Sequence, residues 1–236
     1  MPKFSFFILL LLLSVDVIGQ PVTGKPGTYS SKKWAISVSG GYSDMLNKVP
    51  FDLGHEFAQY MKRLKSGWHT GIDAGYFFTK HVGAGISYTA FFTRESQDSL
   101  TATNGIIHFT SDFSNIMYIQ NLAPMLFGRL PLMKGKMLLI GGGGPAYLNY
   151  HNTYKSQLDS ATLKGSSAGF LCKAGIEYSL SKNINLGINT SYTYAFLKKI
   201  TRITVAGEEV LMLDKSDYLK NISRIDLGLN LRWMFN

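Results

Sequence analysis

The C-terminal stretch Arg224–Phe235, reading RIDLGLNLRWMF, alternates without a break. Ile225, Leu227, Leu229, Leu231, Trp233 and Phe235 fall on one side, and Arg224, Asp226, Gly228, Asn230, Arg232 and Met234 on the other. Successive side chains of an extended chain point to opposite faces, so this is a β-strand with one apolar and one polar face. A strand of a soluble sandwich would be shorter and would turn its apolar face inward. A dozen alternating residues is the length a tilted strand needs to cross a bilayer. The stretch therefore reads as the closing strand of a membrane barrel.

The opposite end of the chain fits an exported protein. Met1-Pro2-Lys3 is followed by an apolar run over 4–13 and a weakly polar stretch to Gly19. A positive start, a short apolar core and small residues at Val17 and Gly19 predict a signal peptide over 1–19, cut near Gly19–Gln20. The apolar run is too short to cross a membrane as a helix, and no later stretch is long and apolar enough to do so. The run carries no cysteine, which excludes a lipid-anchored lipoprotein. Cys172, the single cysteine, has no internal disulfide partner. Residues 20–33, rich in Gly, Pro, Thr and Ser, read as a flexible periplasmic lead-in, and residues 34–236 as one barrel domain. The 13 tyrosines, 15 phenylalanines and 24 glycines come without long apolar runs, as expected where only every second residue meets lipid. The net charge of +9 is spread among acidic residues in loops and turns, with no basic block. That argues against nucleic acid and for attraction to anionic lipid head groups.

Between these ends the same alternation recurs seven times. Strands are predicted over 34–42, 68–78, 81–93, 115–128, 137–150, 168–180 and 184–196, with the C-terminal stretch as the eighth. The facing of the fourth and fifth is ambiguous: Gln120 breaks the apolar face, Pro124 predicts a bulge, and the fifth contains Gly141–Gly144 and Pro145. The connections 79–80, 129–136 and 181–183 are short, whereas 43–67, 94–113, 151–167 and 197–223 are long. Short periplasmic turns alternating with long external loops are the hairpin pattern of an outer-membrane barrel, and an even strand count leaves both termini in the periplasm. With that topology, Trp34, Tyr76, Phe78, Tyr178, Trp233 and Phe235 form an outward periplasmic aromatic belt. Tyr42, Trp68, Tyr88, Phe92, Tyr150, Tyr192 and Tyr194 form an external one. The fold class expected is all-β: an eight-stranded, antiparallel, up-and-down transmembrane β-barrel.

The ending resembles the C-terminal assembly signal of bacterial outer-membrane barrels: Asp226, Gly228, then Leu231, Trp233 and Phe235, although Asn236 follows the aromatic. Strand count, loop asymmetry and this ending together resemble the small outer-membrane β-barrel family, the OmpA/OmpX-like membrane domain of Gram-negative bacteria. The exported barrels of Bacteroidetes, including the PorT-like group, are similar too. The resemblance implies a monomer in the outer membrane, inserted by the barrel-assembly machinery and bathed by lipid and lipopolysaccharide. It implies a structural or interaction role through external loops. Two alternatives follow from it: a component of a secretion or assembly machinery, and a lipid A-modifying barrel enzyme.

The inward face supplies the candidate site residues. Asp73, Glu177 and Asp226 stand against Lys173, Arg224 and Arg232, three acids to three bases. Eight strands enclose room for little beyond their own side chains, so these charges should be paired, closing a polar interior. A narrow water or proton path is the alternative. Neither an enzyme nor a cofactor is expected. His55, His69, His81, His108 and His151 have no spacing that enforces a nucleophile–base pair or a metal site, and the Gly141–Gly144 run lacks the lysine and helix of a phosphate loop. In the first external loop, Leu53, Phe57, Tyr60, Met61 and Leu64 recur at helical spacing, with Lys62, Arg63 and Lys65 interleaved. Such an amphipathic helix has three uses: lying on lipopolysaccharide, capping the barrel mouth or binding a partner. The bland alternative is a loop that buries its own stripe on the rim.

Overall fold

The computed structural model describes residues 32–49, 54–103, 108–157, 159–214 and 220–236. The signal peptide expected over 1–19 lies outside the described residues, as does the lead-in up to residue 31. Ten strands appear among the described residues: β1 (Trp34–Met45), β2 (Ser66–Phe77), β3 (Val82–Thr103), β4 (His108–Leu132), β5 (Met137–Ser156), β6 (Ser160–Ser179), β7 (Ile184–Ala195), β8 (Lys199–Thr204), β9 (Gly207–Met212) and β10 (Arg224–Phe235). One helix, α1 (His55–Leu64), lies between β1 and β2. β1 to β7 pair in sequence, β7 pairs with β10, and β10 returns to β1, all antiparallel. This is a closed ring of eight strands. The short hairpin β8–β9 stands outside it, hydrogen-bonded to β6.

The faces follow the alternation. Ile225, Leu227, Leu229, Leu231 and Trp233 are exposed, while Arg224, Asp226, Asn230, Arg232 and Met234 are buried inside the ring. At the β1–β10 seam Gly41 faces Gly228, and a Cβ on Gly41 would come within 2.4 Å of the Gly228 Cα. Only glycine fits there, which gives Gly228 a packing reason of its own.

The exposed aromatics form two levels. Trp34 packs edge-on against Tyr76 at 4.9 Å, and Trp233 contacts Phe235 at 5.4 Å, at the periplasmic end. Tyr42, Trp68, Phe92 and Tyr118 are cross-strand neighbours in one row at the external end. Trp34 and Tyr42 are separated on β1 by about 26 Å of strand at ~3.3 Å per residue. A typical tilt projects this to about 20 Å, close to the apolar band of such barrels. Tyr150 does not join the external belt as expected. It is buried and points inward, and Tyr147, on the opposite face of β5, is the exposed aromatic.

Two loop expectations are corrected. The spans 94–113 and 151–167 are mostly strand: β3 to β6 run for 22, 25, 20 and 20 residues against 12 for β1, β2, β7 and β10. Above the belt, outward positions such as Arg94, Ser96 and Asp112 meet water rather than lipid, so their polarity looks like a loop. From Tyr118 to His108, β4 continues for about 33 Å at ~3.3 Å per residue. One half of the mouth is therefore a tall wall, and the other half is low.

The bulge expected at Pro124 is absent. The β3–β4 register runs unbroken through Ile86↔Pro124. The β4–β5 register is the same on both sides of a gap between Leu122↔Tyr147 and Leu126↔Gly143. That register sets Pro145 opposite Pro124, and neither proline has an N–H to donate. Gly144 admits the close approach: a Cβ there would lie 1.9 Å from the Pro124 carbonyl oxygen. The register shift falls instead between Gln97 and Leu100. There Ser99 takes a left-handed backbone (φ 53°) and donates its N–H to Asp112 Oδ1 at 2.8 Å.

Because Leu229 sits at mid-height on the outward face, Leu229→Lys should cost about 2–4 kcal/mol of folding free energy in lipid vesicles. Reversible urea unfolding in vesicles measures it, and a cost near zero would mean that this face does not meet lipid.

Candidate functional site: barrel interior and external vestibule

The six charged residues expected inside all lie there, in three tiers. Nearest the periplasm, Glu177 accepts hydrogen bonds from Arg232 Nε at 2.8 Å, Asn230 Nδ2 at 2.7 Å and Asn185 Nδ2 at 3.2 Å. At mid-height Lys173 pairs with Asp73 at 2.5 Å, and Ser37 donates to the same carboxylate at 3.1 Å. Toward the exterior, Asp226 accepts from Ser43 at 2.5 Å, Ser191 at 2.6 Å and Arg224 Nε at 3.1 Å. Arg224, fully buried, also donates to Thr89 at 2.8 Å. Each carboxylate thus gathers two or three donors, which is the condition for burying a charge without a prohibitive desolvation cost.

A fourth interior cation was hidden by the ambiguous facing of β4. Arg129, expected in the turn, lies inward near the periplasmic end. It stacks over the Phe77 ring at 4.0 Å and donates to the Lys32 and Lys80 carbonyls at 2.8 and 2.9 Å. Only its place two residues after Phe127, on the same face, could have revealed it.

The interior is not uniformly polar, which corrects a second expectation. The charged tiers belong to β1, β2, β7, β10 and the lower part of β6. The facing wall is apolar: Met117, Ile119, Met125 and Phe127 of β4, and Leu138, Ile140 and Leu148 of β5. These residues belong to one hydrophobic cluster that continues upward through Leu100, Met61, Tyr60 and Leu64. The apolar core of the barrel and that of the external wall are one body.

That column explains α1. Ala58, Tyr60, Met61 and Leu64 are buried, and Phe57 packs on the rings of Phe113 and Tyr60 at 6.0 and 6.1 Å. Lys62 and Arg63 face outward, with Arg63 bonded to Glu95 and Gln97. The helix therefore caps the mouth with its apolar face; Leu53 lies outside the described residues.

Beneath the cap lies a vestibule, a cavity of about 320 Å³. Its walls are Met45 and Asn47 after the low rim, Phe57, Tyr60, Met61 and Leu64 of α1, Phe113, Asn115 and Met117 of β4, Tyr150, Asn152 and Tyr154 of β5, Leu163 of β6, and Ile200, Arg202 and Leu211 of the hairpin. Burial pushes the Tyr60 phenol up to about 12. On one flank Arg202 is paired with Asp159, and hydrogen bonds from Tyr154 and Arg202 hold that carboxyl below its usual range.

The described histidine rings are each engaged elsewhere. His55 meets Gln59 at 2.8 Å, His69 the Tyr42 carbonyl and His81 the Arg129 carbonyl at 3.2 Å, and His151 meets Thr153 at 3.4 Å. The side chain of His108 lies outside the described residues. Among the described residues no group of three or more His, Cys, Asp or Glu could hold a metal ion.

A ring closed on itself, apolar outward and belted by aromatics at two heights defines an integral outer-membrane β-barrel. The sequence agrees: residues 28–232 match the family described as "Outer membrane protein beta-barrel domain", and the chain belongs to that family of the bacterial outer membrane. A major outer membrane protein of Thermus thermophilus shares the fold, with TM-score 0.60 at 13% identity over 87% of this chain and 100% of that one. Two other solved barrels are also similar. OprG of Pseudomonas aeruginosa has TM-score 0.47 at 14% identity, over 88% of this chain and 99% of that one. Neisserial surface protein A has TM-score 0.47 at 13% identity, over 86% and 97%. No curated protein sequence matches significantly.

Two outcomes test the interior and the cap. Glu177→Ala strands Arg232 and should cost about 3–5 kcal/mol in vesicle unfolding. A loss below about 1 kcal/mol, the worth of an exposed pair, would contradict the buried network. Tyr60 holds its proton in the folded state after an unfolded chain has released it, so its contribution is intact below the ordinary tyrosine range and is lost as pH rises towards about 12. A tyrosinate absorbance titration of wild type against Tyr60→Phe should show one late-ionising phenol. An ordinary midpoint for that phenol would place Tyr60 in water.

Proposed function

We propose that the protein is a monomeric surface-recognition barrel. Its membrane part is an anchor sealed by its own side chains, and its external half is the working part. The observation that carries this reading is the unbroken hydrophobic cluster from Ala123 and Leu148 inside the barrel to Leu100 and Tyr60 outside it. A wall continuous with the barrel core holds a fixed shape above the membrane, as a binding surface requires and a pore does not. The hairpin β8–β9 adds exposed apolar side chains, Val205, Val210 and Met212, to that surface. Exposed apolar groups of this kind on an outward-facing element favour contact with another molecule.

Two further partners belong to this reading. Arg94, Lys155 and Lys164 are exposed on the outward face beyond the aromatic belt, at a height suited to lipopolysaccharide phosphates. The assembly machinery would read the last strand through Asp226, Gly228, Leu231, Trp233 and Phe235.

Photocrosslinking residues introduced singly at Val205 and at Lys182, in intact cells, test the reading. Adducts are expected from Val205, on the external hairpin, and not from Lys182, in a periplasmic turn. The reverse pattern would contradict external recognition and make the protein a component of a periplasm-facing secretion or assembly machinery.

A further inference from the structure

The vestibule is a partly open pocket at the barrel mouth. It holds about 320 Å³, within the lower range of small-molecule sites. It is also not chemically inert. The Asn47 and Asn152 side chains are buried, and their carboxamide oxygens have no hydrogen-bond partner. The Arg202 Nε is likewise buried without one, although its other end pairs with Asp159. Buried polar atoms of folded proteins are almost always hydrogen-bonded, so the Arg202 Nε marks an acceptor missing from the space it borders, and the two carboxamide oxygens call for donors, water among them.

The charge of the lining selects among occupants. Lys65 and Arg202 are the charged side chains bordering the cavity among the described residues, and no acidic side chain borders it. The body of the space is formed by aromatic, Met, Leu and Ile side chains. The lining therefore fits an occupant that is apolar along most of its length and anionic at one end.

We propose that the vestibule is a binding site for a small apolar carboxylate of the fatty-acid class. The hydrocarbon lies against Phe57, Met61, Phe113 and Met117, and the carboxylate accepts a hydrogen bond from Arg202 Nε. The site rests on the external-recognition reading only in lying on the same side of the membrane, and it stands on its own observations. The cap α1 forms one wall, so the ligand braces the helix against β4.

Methyl-labelled methionine NMR on the full chain in lipid nanodiscs tests this, because Met45, Met61 and Met117 line the cavity while Met125 and Met234 lie deeper in the barrel. Octanoate is the probe and octanol, with the same chain and no charge, is the control. The Met61 and Met117 signals are expected to shift saturably with octanoate, with Met125 and Met234 unmoved. Octanol should bind about tenfold more weakly or worse, and Arg202→Gln should lose about as much, the scale of one charge-assisted hydrogen bond. Leu163→Trp, which fills the space beside its cross-strand neighbour Arg202, should abolish the shifts while leaving the spectrum of the lower barrel intact. Equal binding of octanol, no saturable shift, or shifts that track lipid partitioning at every methionine would each overturn the proposal. The crosslinking result at Val205 is independent of all of these, so failure here and failure of external recognition remain separate.

Discussion

Every backbone N–H and C=O within a bilayer must find its partner in the protein, because the hydrocarbon offers none. For β1 and β10 that condition is met by each other: twelve register pairs run from Trp34↔Phe235 to Met45↔Arg224. Without this seam the sheet would have two open edges in lipid, and the outward leucines of β10 would have no reason to face hydrocarbon. Closure also fixes the interior. Once the ring shuts, every inward side chain on β1, β2, β7 and β10 must be neutralised within the barrel, and the three tiers around Glu177, Asp73 and Asp226 do so. Gly41 and Gly228 allow the seam to draw tight where it passes between Asp226 and Asn230.

The interior divides the barrel along its length into a hydrogen-bonded half and an apolar half, and the external architecture follows from this division. The apolar half belongs to β4 and β5, two of the four strands that continue upward. Their inward face needs apolar cover above the membrane, and α1 supplies it with Tyr60, Met61 and Leu64. The low half ends in Arg224, Asp226 and Ser43, which bond to one another within the ring. An amphipathic helix at the mouth is thus the lid of the wall, with its charged side left to water and to Glu95.

Much of this was legible in the residues. Where a strand borders lipid on one side and a polar interior on the other, the alternation is a direct record of facing, and β1, β2, β7 and β10 were readable to within a few residues. Legibility fell where one of those two solvents changed. Above the belt, water replaced lipid outside, so Arg94 to Asp98 looked like loop although they are strand. On β4 and β5 the interior became apolar, so both faces looked alike, and with Pro124 and the glycine run the parity of Tyr150 and the inward turn of Arg129 were lost. The vestibule had no signal at all: its walls come from seven elements far apart in sequence, and only the fold brings Met45, Phe113 and Arg202 together.

The direct measurement is a nitroxide scan over Ile225 to Phe235, one cysteine at a time in a Cys172→Ser background, read by oxygen accessibility in lipid vesicles. High accessibility is expected at Ile225, Leu227, Leu229, Leu231 and Trp233, peaking near Leu229, with low values at Asp226, Gly228, Asn230 and Arg232. A flat profile, or one with the two sets exchanged, would contradict the lipid-facing closed barrel.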